Sequence, residues 1–229
     1  RYTTLYLCIK KLTMQSNLSV LSTAYLPSIR YVKELFNSKV IHIEKHETYK
    51  KQTYRNRCVI FSANGALPLS IPVIKPQGNK TKVCDVVLDN SVKWRKEHWR
   101  AIESAYKSSA YFEYLKDYFV QYYMKEWKYL WDFNLSMLET IIAILEIKVE
   151  LKETESYIKE YGNRFNDLRR LSDENKKELI SDSQDNRYFQ VFENKHGFIP
   201  NLSIIDLLCN CGMGARTILI KKGGYTPPH

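Results

Sequence analysis

The feature that most constrains this fold is a change of hydrophobic period at Trp94. Before it, short runs alternate at the period of two that suits strands; after it, apolar residues recur every three or four, as a helix requires. Ser19–Ala24 reads as a strand ended by Pro27, and Ser28 caps a helix to Phe36 on the stripe Ile29, Val32, Leu35, Phe36. Val40–Ile43 is a second strand. Cys58–Ala63 and Leu67–Val73 form a hairpin around Asn64-Gly65, with Pro68 and Pro72 confining the second strand to an edge. A polar loop, Lys75–Lys80, leads to a short strand at Val83–Leu88.

Beyond the switch, helices are expected at Trp94–Lys107, at Ala110 to Lys125 behind a Ser109 cap, and from Asp132 or Asn134 onward. The third buries Leu135, Leu138, Ile141, Ile142 and Leu145. Ile147–Leu151 reads as a returning strand, Asp167–Ile180 as a charged, weakly helical stretch. Ser203 caps a helix through Leu208 that Gly212 and Gly214 terminate. The fold class is therefore α+β, with N-terminal short strands and a hairpin packed on a mainly helical C-terminal half. One domain is expected over residues 18–220, with 1–17 a non-native or disordered extension, Met14 a candidate start, and 221–229 a flexible tail.

Charge is unevenly distributed. Residues 1–100 hold 18 Lys and Arg against 6 Asp and Glu, a net of +12; the remainder holds 17 against 19, a net of −2. A basic first half favours an anionic partner. Nucleic acid is disfavoured, because no helix-turn-helix, zinc-finger or RNP signature is present. The five cysteines (Cys8, Cys58, Cys84, Cys209, Cys211) lack C-x-x-C spacing, which argues against a zinc ribbon or disulfide framework and for reduced thiols in the cytoplasm. The most apolar helical stretch, Leu138–Val149, is too short to span a membrane and carries Glu139, Glu146 and Lys148.

Candidate chemistry begins at Tyr49–Cys58, Y-K-K-Q-T-Y-R-N-R-C. Arg55 and Arg57, two apart, share a side if the segment is extended, and guanidinium is the best fork for phosphate or carboxylate. Gln52, Thr53, Tyr54 and Asn56 supply further donors and acceptors. The competing reading is a solvated basic strand edge that blocks aggregation. His98, among Trp94, Arg95, Glu97 and Trp99, is either a general base or a half-buried helix histidine. His196 precedes Gly197 and a helix entry at Pro200-Asn201-Leu202-Ser203, where free N–H groups and the helix dipole would suit an anion. There the alternative is a turn in which Phe198 and Ile199 plug the core and Asn201 or Ser203 only cap. His42-x-Glu44-x-His46 has zinc-type donors, but its spacing on a strand and the nearby lysines favour a solvated face, so no metal is assigned.

Several blocks also resemble the WbqC-like family. They are Leu21-Ser22-Thr23-Ala24-Tyr25-Leu26-Pro27, Thr53-Tyr54-Arg55-Asn56-Arg57-Cys58 with Asn64-Gly65 and Ile71-Pro72-Val73, Trp94-Arg95-Lys96-Glu97-His98-Trp99, and Gln190-Val191-Phe192 through His196-Gly197-Phe198-Ile199-Pro200-Asn201-Leu202-Ser203-Ile204-Ile205-Asp206-Leu207-Leu208. The family takes its name from bacterial surface-polysaccharide (O-antigen) clusters, so the resemblance implies a cytoplasmic protein of lipopolysaccharide assembly. The expected function is a transferase moving an acyl or aminoacyl group onto a nucleotide-linked sugar. Its catalytic pair would be His98 and His196. Its substrate contacts would be Tyr25, Gln52, Thr53, Tyr54, Arg55, Asn56, Arg57, Trp94, Asn201 and Ser203. The alternative is a non-catalytic module binding an anionic, phosphorylated intermediate or a partner protein. The expected ligand is an anionic small molecule, a nucleotide sugar or acyl donor; no cofactor or oligomeric state is assigned.

Overall fold

The computed structural model describes residues 18–173 and 187–220. The expectations for residues 1–17 and 221–229, and for 174–180 of the charged stretch, lie outside that range. The chain is an α+β fold, with short N-terminal strands and hairpins packed on a largely helical C-terminal region.

Strand β1 (Leu18–Ser22) and strand β2 (Val40–Glu44) are parallel, joined by helix α1 (Ile29–Phe36). Ser28 caps α1 as its sequence predicts, its Oγ accepting from Tyr31 N at 3.3 Å. Ile29, Tyr31, Val32 and Leu35 are its buried face. Then come the hairpin β3 (Arg57–Ser62) and β4 (Gly65–Ser70), and the small ladder β5 (Val73–Ile74) with β6 (Val87–Leu88). The β3–β4 loop is Ala63-Asn64, and the positive φ falls on Gly65 (97°), which glycine adopts without a Cβ clash. Pro68 sits on the outer strand of this two-stranded ribbon, where a missing N–H costs nothing.

The helical half contains α2 (Trp94–Tyr106), α3 (Phe112–Met124) and α4 (Leu130–Ile144). Two boundaries differ from expectation. Ser109 closes α2 rather than opening α3, its Oγ donating to Tyr106 O at 2.6 Å. Helix α4 starts before Asp132, because Leu130 and Trp131 are buried and extend the apolar face backward. Along α4, Leu138, Ile141 and Leu145 are core, while Ile142 is half-buried at its margin.

The helical half then returns two strands to the first sheet. Strand β7 (Glu150–Glu153) pairs in parallel with β2, and β8 (Asn166–Asp167) with β1, giving the order β7-β2-β1-β8 with all neighbours parallel. A 3-10 turn at Arg169–Ser172 follows β8. The one-turn helix α5 (Glu193–His196), α6 (Ile204–Cys211) and α7 (Ala215–Ile220) complete the described chain, α6 and α7 packing on α1. Ser203 caps α6 and also donates to Leu26 O at 2.9 Å, tying the two capped helices together.

Candidate functional site

In an open parallel sheet, ligands bind beyond the carboxyl ends of the strands, where connections diverge to either side. Here β1 leads toward β2 on one side, and β8 joins on the other. The segments leaving β2, β7 and β8 enclose a cleft of about 400 Å³ at that edge, lined by Glu47, Thr48, Lys50, Arg55, Tyr157, Asp167, Arg169, Arg170 and Asp173.

Arg55 forms its floor. It is fully buried, and its Nε and Nη2 donate to Glu47 Oε1 and Oε2 at 2.8 Å each, a bidentate fork. Its Nη2 also donates to Ser22 Oγ at 2.9 Å, at the end of β1, and its Nη1 to Asp173 Oδ1 at 2.5 Å. Burial alone would weaken its hold on the proton, but Glu47 and Asp173 outweigh that and raise its pKa. Lys50 Nζ lies 2.6 Å from Asp173 Oδ2. Burial would push the Asp173 carboxyl up; Arg55 and Lys50 instead hold it below its ordinary range.

Arg169 is equally engaged. It grips Asp167 from Nε and Nη2, donates to the carbonyls of Ile158 and Lys159, and stacks against Tyr157 and Tyr161 at 5.3 and 5.1 Å. Burial raises and Arg169 lowers the Asp167 pKa, and the net shift is downward. Arg170 is exposed and makes no hydrogen bond or ion pair from its side chain to any described residue. Its charge reaches Asp167 only through space.

The residues singled out from sequence divide among five places. Only Arg55 reaches the cleft floor. Residues 51–56 turn rather than extend, with Gln52 at φ 58°, so Arg55 and Arg57 do not share a strand face. Arg57 instead donates to Ser70 Oγ at 2.9 Å outside the cleft. Thr53, Tyr54 and Asn56 shape that turn: Thr53 Oγ1 donates to Lys50 O, Tyr54 N to Ser172 O, and Asn56 Nδ2 to Ile71 O.

Tyr25, Trp94 and His98 meet in a buried aromatic pocket. His98 Nδ1 and Tyr25 Oη are 2.9 Å apart, Tyr25 bonds Tyr123, and the His98 and Trp94 rings pack edge to face at 5.3 Å. Burial drives the His98 pKa down to about 4, against a bond to the Ser70 carbonyl that supports the proton. This imidazole is neutral at physiological pH and closed to solvent.

His196 is exposed on α5 and donates from Nε2 to Ala63 O at 2.9 Å, at the tip of the β3–β4 hairpin. His98 sits by Ser70, at the other end of that hairpin. Six residues of strand separate the two positions, roughly 20 Å, so the structure does not bring the histidines together. Nor does the helix entry offer free donors: Ser203 N bonds Val59 O, Ile204 N bonds Pro27 O, and Asn201 Oδ1 accepts from Arg30 N.

Sequence reasoning missed Glu47, Tyr157, Asp167, Arg169, Arg170 and Asp173. The available signal was Asp167-Leu-Arg-Arg-Leu-Ser-Asp173, four charged residues around two apolar ones. Among the described residues no three His, Cys, Asp or Glu side chains could hold one metal ion, and no helix is long and apolar enough to cross a membrane. Glu44, the centre of the His42–His46 pattern, is buried and accepts from His46 N and Thr154 Oγ1. The buried thiols of Cys58 and Cys209 are pushed far up by burial, and Cys211 to about 12, so none is a thiolate nucleophile.

Comparison with known proteins places this geometry in context. No solved structure matches the chain. The uncharacterized protein Rv1507c of Mycobacterium tuberculosis is 26% identical over 193 residues, covering 75% of this chain and 83% of the relative. The WbqC-like protein family matches residues 23–193, a span running from the end of β1 through the whole carboxyl-edge cleft into α5. On that match, the chain belongs to the WbqC-like protein family.

Proposed function

We propose that this chain binds a sugar phosphate or nucleotide-linked sugar of bacterial surface-polysaccharide (O-antigen) assembly in the carboxyl-edge cleft, on the cytoplasmic side of that pathway. One observation carries the reading. Every other guanidinium of the cleft is saturated by the protein's own carboxylates, hydroxyls and carbonyls, whereas Arg170 faces the cleft without such a partner among the described residues. A guanidinium at a mixed-charge rim with no partner among the described residues suits one phosphate group, held by a bidentate fork. Tyr157, half-exposed and backed by Arg169, offers a ring face for a sugar. The pathway comes from family membership; the ligand class comes from the cleft.

Isothermal titration with a hexose 1-phosphate and a nucleotide-linked hexose tests this. Arg170→Ala should weaken binding about tenfold, the scale of one charge-assisted contact. Arg57→Ala, outside the cleft, should leave affinity unchanged. Equal affinity of wild type and Arg170→Ala overturns the assignment.

Transfer chemistry is a second reading, favoured by the two carboxylates Asp167 and Asp173 that line the cleft, although the arginines that hold their pKa values below the ordinary range make them weak bases. Ionised at neutral pH, either can accept a proton from an attacking amine or hydroxyl. On this reading acyl or aminoacyl transfer uses these carboxylates in place of the His98–His196 pair. Turnover that survives Asp167→Asn and Asp173→Asn together would remove it.

A further inference from the structure

A cleft made for phosphate alone gains nothing from acidic side chains, since each repels the ligand. This one has three, and they are not equivalent. Glu47 is gripped by Arg55 from Nε and Nη2, and Asp167 by Arg169 from Nε and Nη2. Asp173 receives one side-chain hydrogen bond on each oxygen, from Arg55 on Oδ1 and Lys50 on Oδ2. Each carboxylate oxygen has two lone pairs, so both keep acceptor capacity. Its side chain is 27% exposed, and that of its partner Lys50 is 58% exposed. The bond between them thus joins a fixed carboxylate to a long side chain standing in solvent.

Lys50 shows what Asp173 accepts, which is a primary ammonium. A ligand ammonium can take the place of Lys50 Nζ without changing the charge balance around Asp173 or Arg55. Lys50, released, then adds its own charge to that of Arg170. The two poles lie close together, because Arg170 and Asp173 are three residues apart across one 3-10 turn, where such positions stand one above the other. Yet they form no ion pair with each other. A cation and an anion held side by side but not paired with each other match a ligand that carries both charges.

We propose that the cleft recognises an amino-sugar phosphate with a free amine, its ammonium on Asp173 and its phosphate on Arg170, with Lys50 moving from the first to the second. This rests on the cleft being the sugar-phosphate site argued above. It adds a demand for a free amino group, which is also the group an acyl transfer would consume.

The test compares three ligands on the unmodified protein by isothermal titration: glucosamine 1-phosphate, N-acetylglucosamine 1-phosphate and glucose 1-phosphate. The amine should bind about tenfold tighter than the other two, the worth of one charge-assisted hydrogen bond. Asp173→Asn keeps the shape and an acceptor for Arg55, and should bring the three affinities together by weakening only the amine. Equal binding of all three to the wild type, or tighter binding of the N-acetylated sugar, overturns the amine assignment and leaves the sugar-phosphate reading standing. Failure of all three to bind overturns both. A preference that persists in folded Asp173→Asn shows that another group holds the amine, and overturns the role of Asp173.

Discussion

Of the buried polar clusters in this chain, those around Arg55 and His98 treat charge in opposite ways. Around Arg55, the buried guanidinium lies against the carboxylates of Glu47 and Asp173, which hold its proton against the cost of burial, and it in turn helps to hold Asp173 below its ordinary range. Around His98, the neighbours are Tyr25, Trp94 and Tyr123, which give hydrogen bonds and ring faces but no counter-charge. The imidazole there gives up its proton instead, and its pKa falls to about 4. Burial by itself does not decide whether a group is charged; the charge of what is buried with it does.

The sharpest way to break this contrast is to remove one partner of the ionised cluster. Arg55→Met leaves Glu47 buried without its fork and should cost about 3–5 kcal/mol, read from a urea melt. Adding Glu47→Gln to it should restore part of that loss. If Arg55→Met alone were neutral, the cluster would be bearing no net charge interaction.

The neutral cluster is tested by pH. His98 has a folded pKa of about 4, below its unfolded value of roughly 6.5. Its contribution is therefore complete above pH 6.5 and is lost as pH falls toward 4, in total about 3 kcal/mol. In His98→Gln the melting temperature should lose that part of its acid slope.

A third cluster has the reverse sign. Asp206 on α6, bonded by Tyr188 and Gln190, is raised by burial from 3.8 to about 6. Its contribution is greatest below the unfolded carboxylate pKa and is lost as pH rises through 6, again about 3 kcal/mol. Between pH 4 and 6 the two slopes oppose each other, so these groups together should leave the wild type nearly flat there. Asp206→Asn should expose a stability that climbs with pH, and His98→Gln one that falls. Parallel slopes in the two variants would contradict the assignment of either group.

The smallest effect is that of Tyr25→Phe, which deletes the hydroxyl between His98 and Tyr123 while keeping the ring. It should cost about 1 kcal/mol in the same melts. A cost similar to that of Arg55→Met would mean that the aromatic cluster hides a charge after all.

What was legible in the sequence follows the range of each interaction. The caps at Ser28 and Ser203, the hairpin near Asn64-Gly65 and the stripe of α4 depend on residues a few positions apart; the caps stand where spacing puts them, the hairpin loop falls one residue earlier at Ala63-Asn64, and Leu135 and Ile142 of the stripe are only half-buried. Strand β8 was not legible, because two polar residues, Asn166 and Asp167, carry no alternation and pair only through backbone. The role of Arg55 was hidden for a similar reason. Its charge is visible in the chain, but Asp173, which helps to neutralise it, lies 118 residues away in a stretch that reads only as charged. Sequence pointed Arg55 at an anion outside the protein, and the fold gives it Glu47 and Asp173 inside. His98 was conspicuous by its neighbours, yet those same aromatics are what take its charge away.

The late return of β7 and β8 to a sheet begun by β1 and β2 bears on how the protein is made. Ser19 must find Asn166, and Arg55 must find Asp173, after the whole helical half has been synthesised. Contacts this distant in the chain close slowly, because the loop entropy is spent before they repay it. A nascent chain that has reached only α4 can therefore bury much of its core while Arg55 still lacks one of its two carboxylates. The carboxyl-edge cleft is complete only once Asp173 has been added, and a chain cut short before it would have helices without the whole cleft.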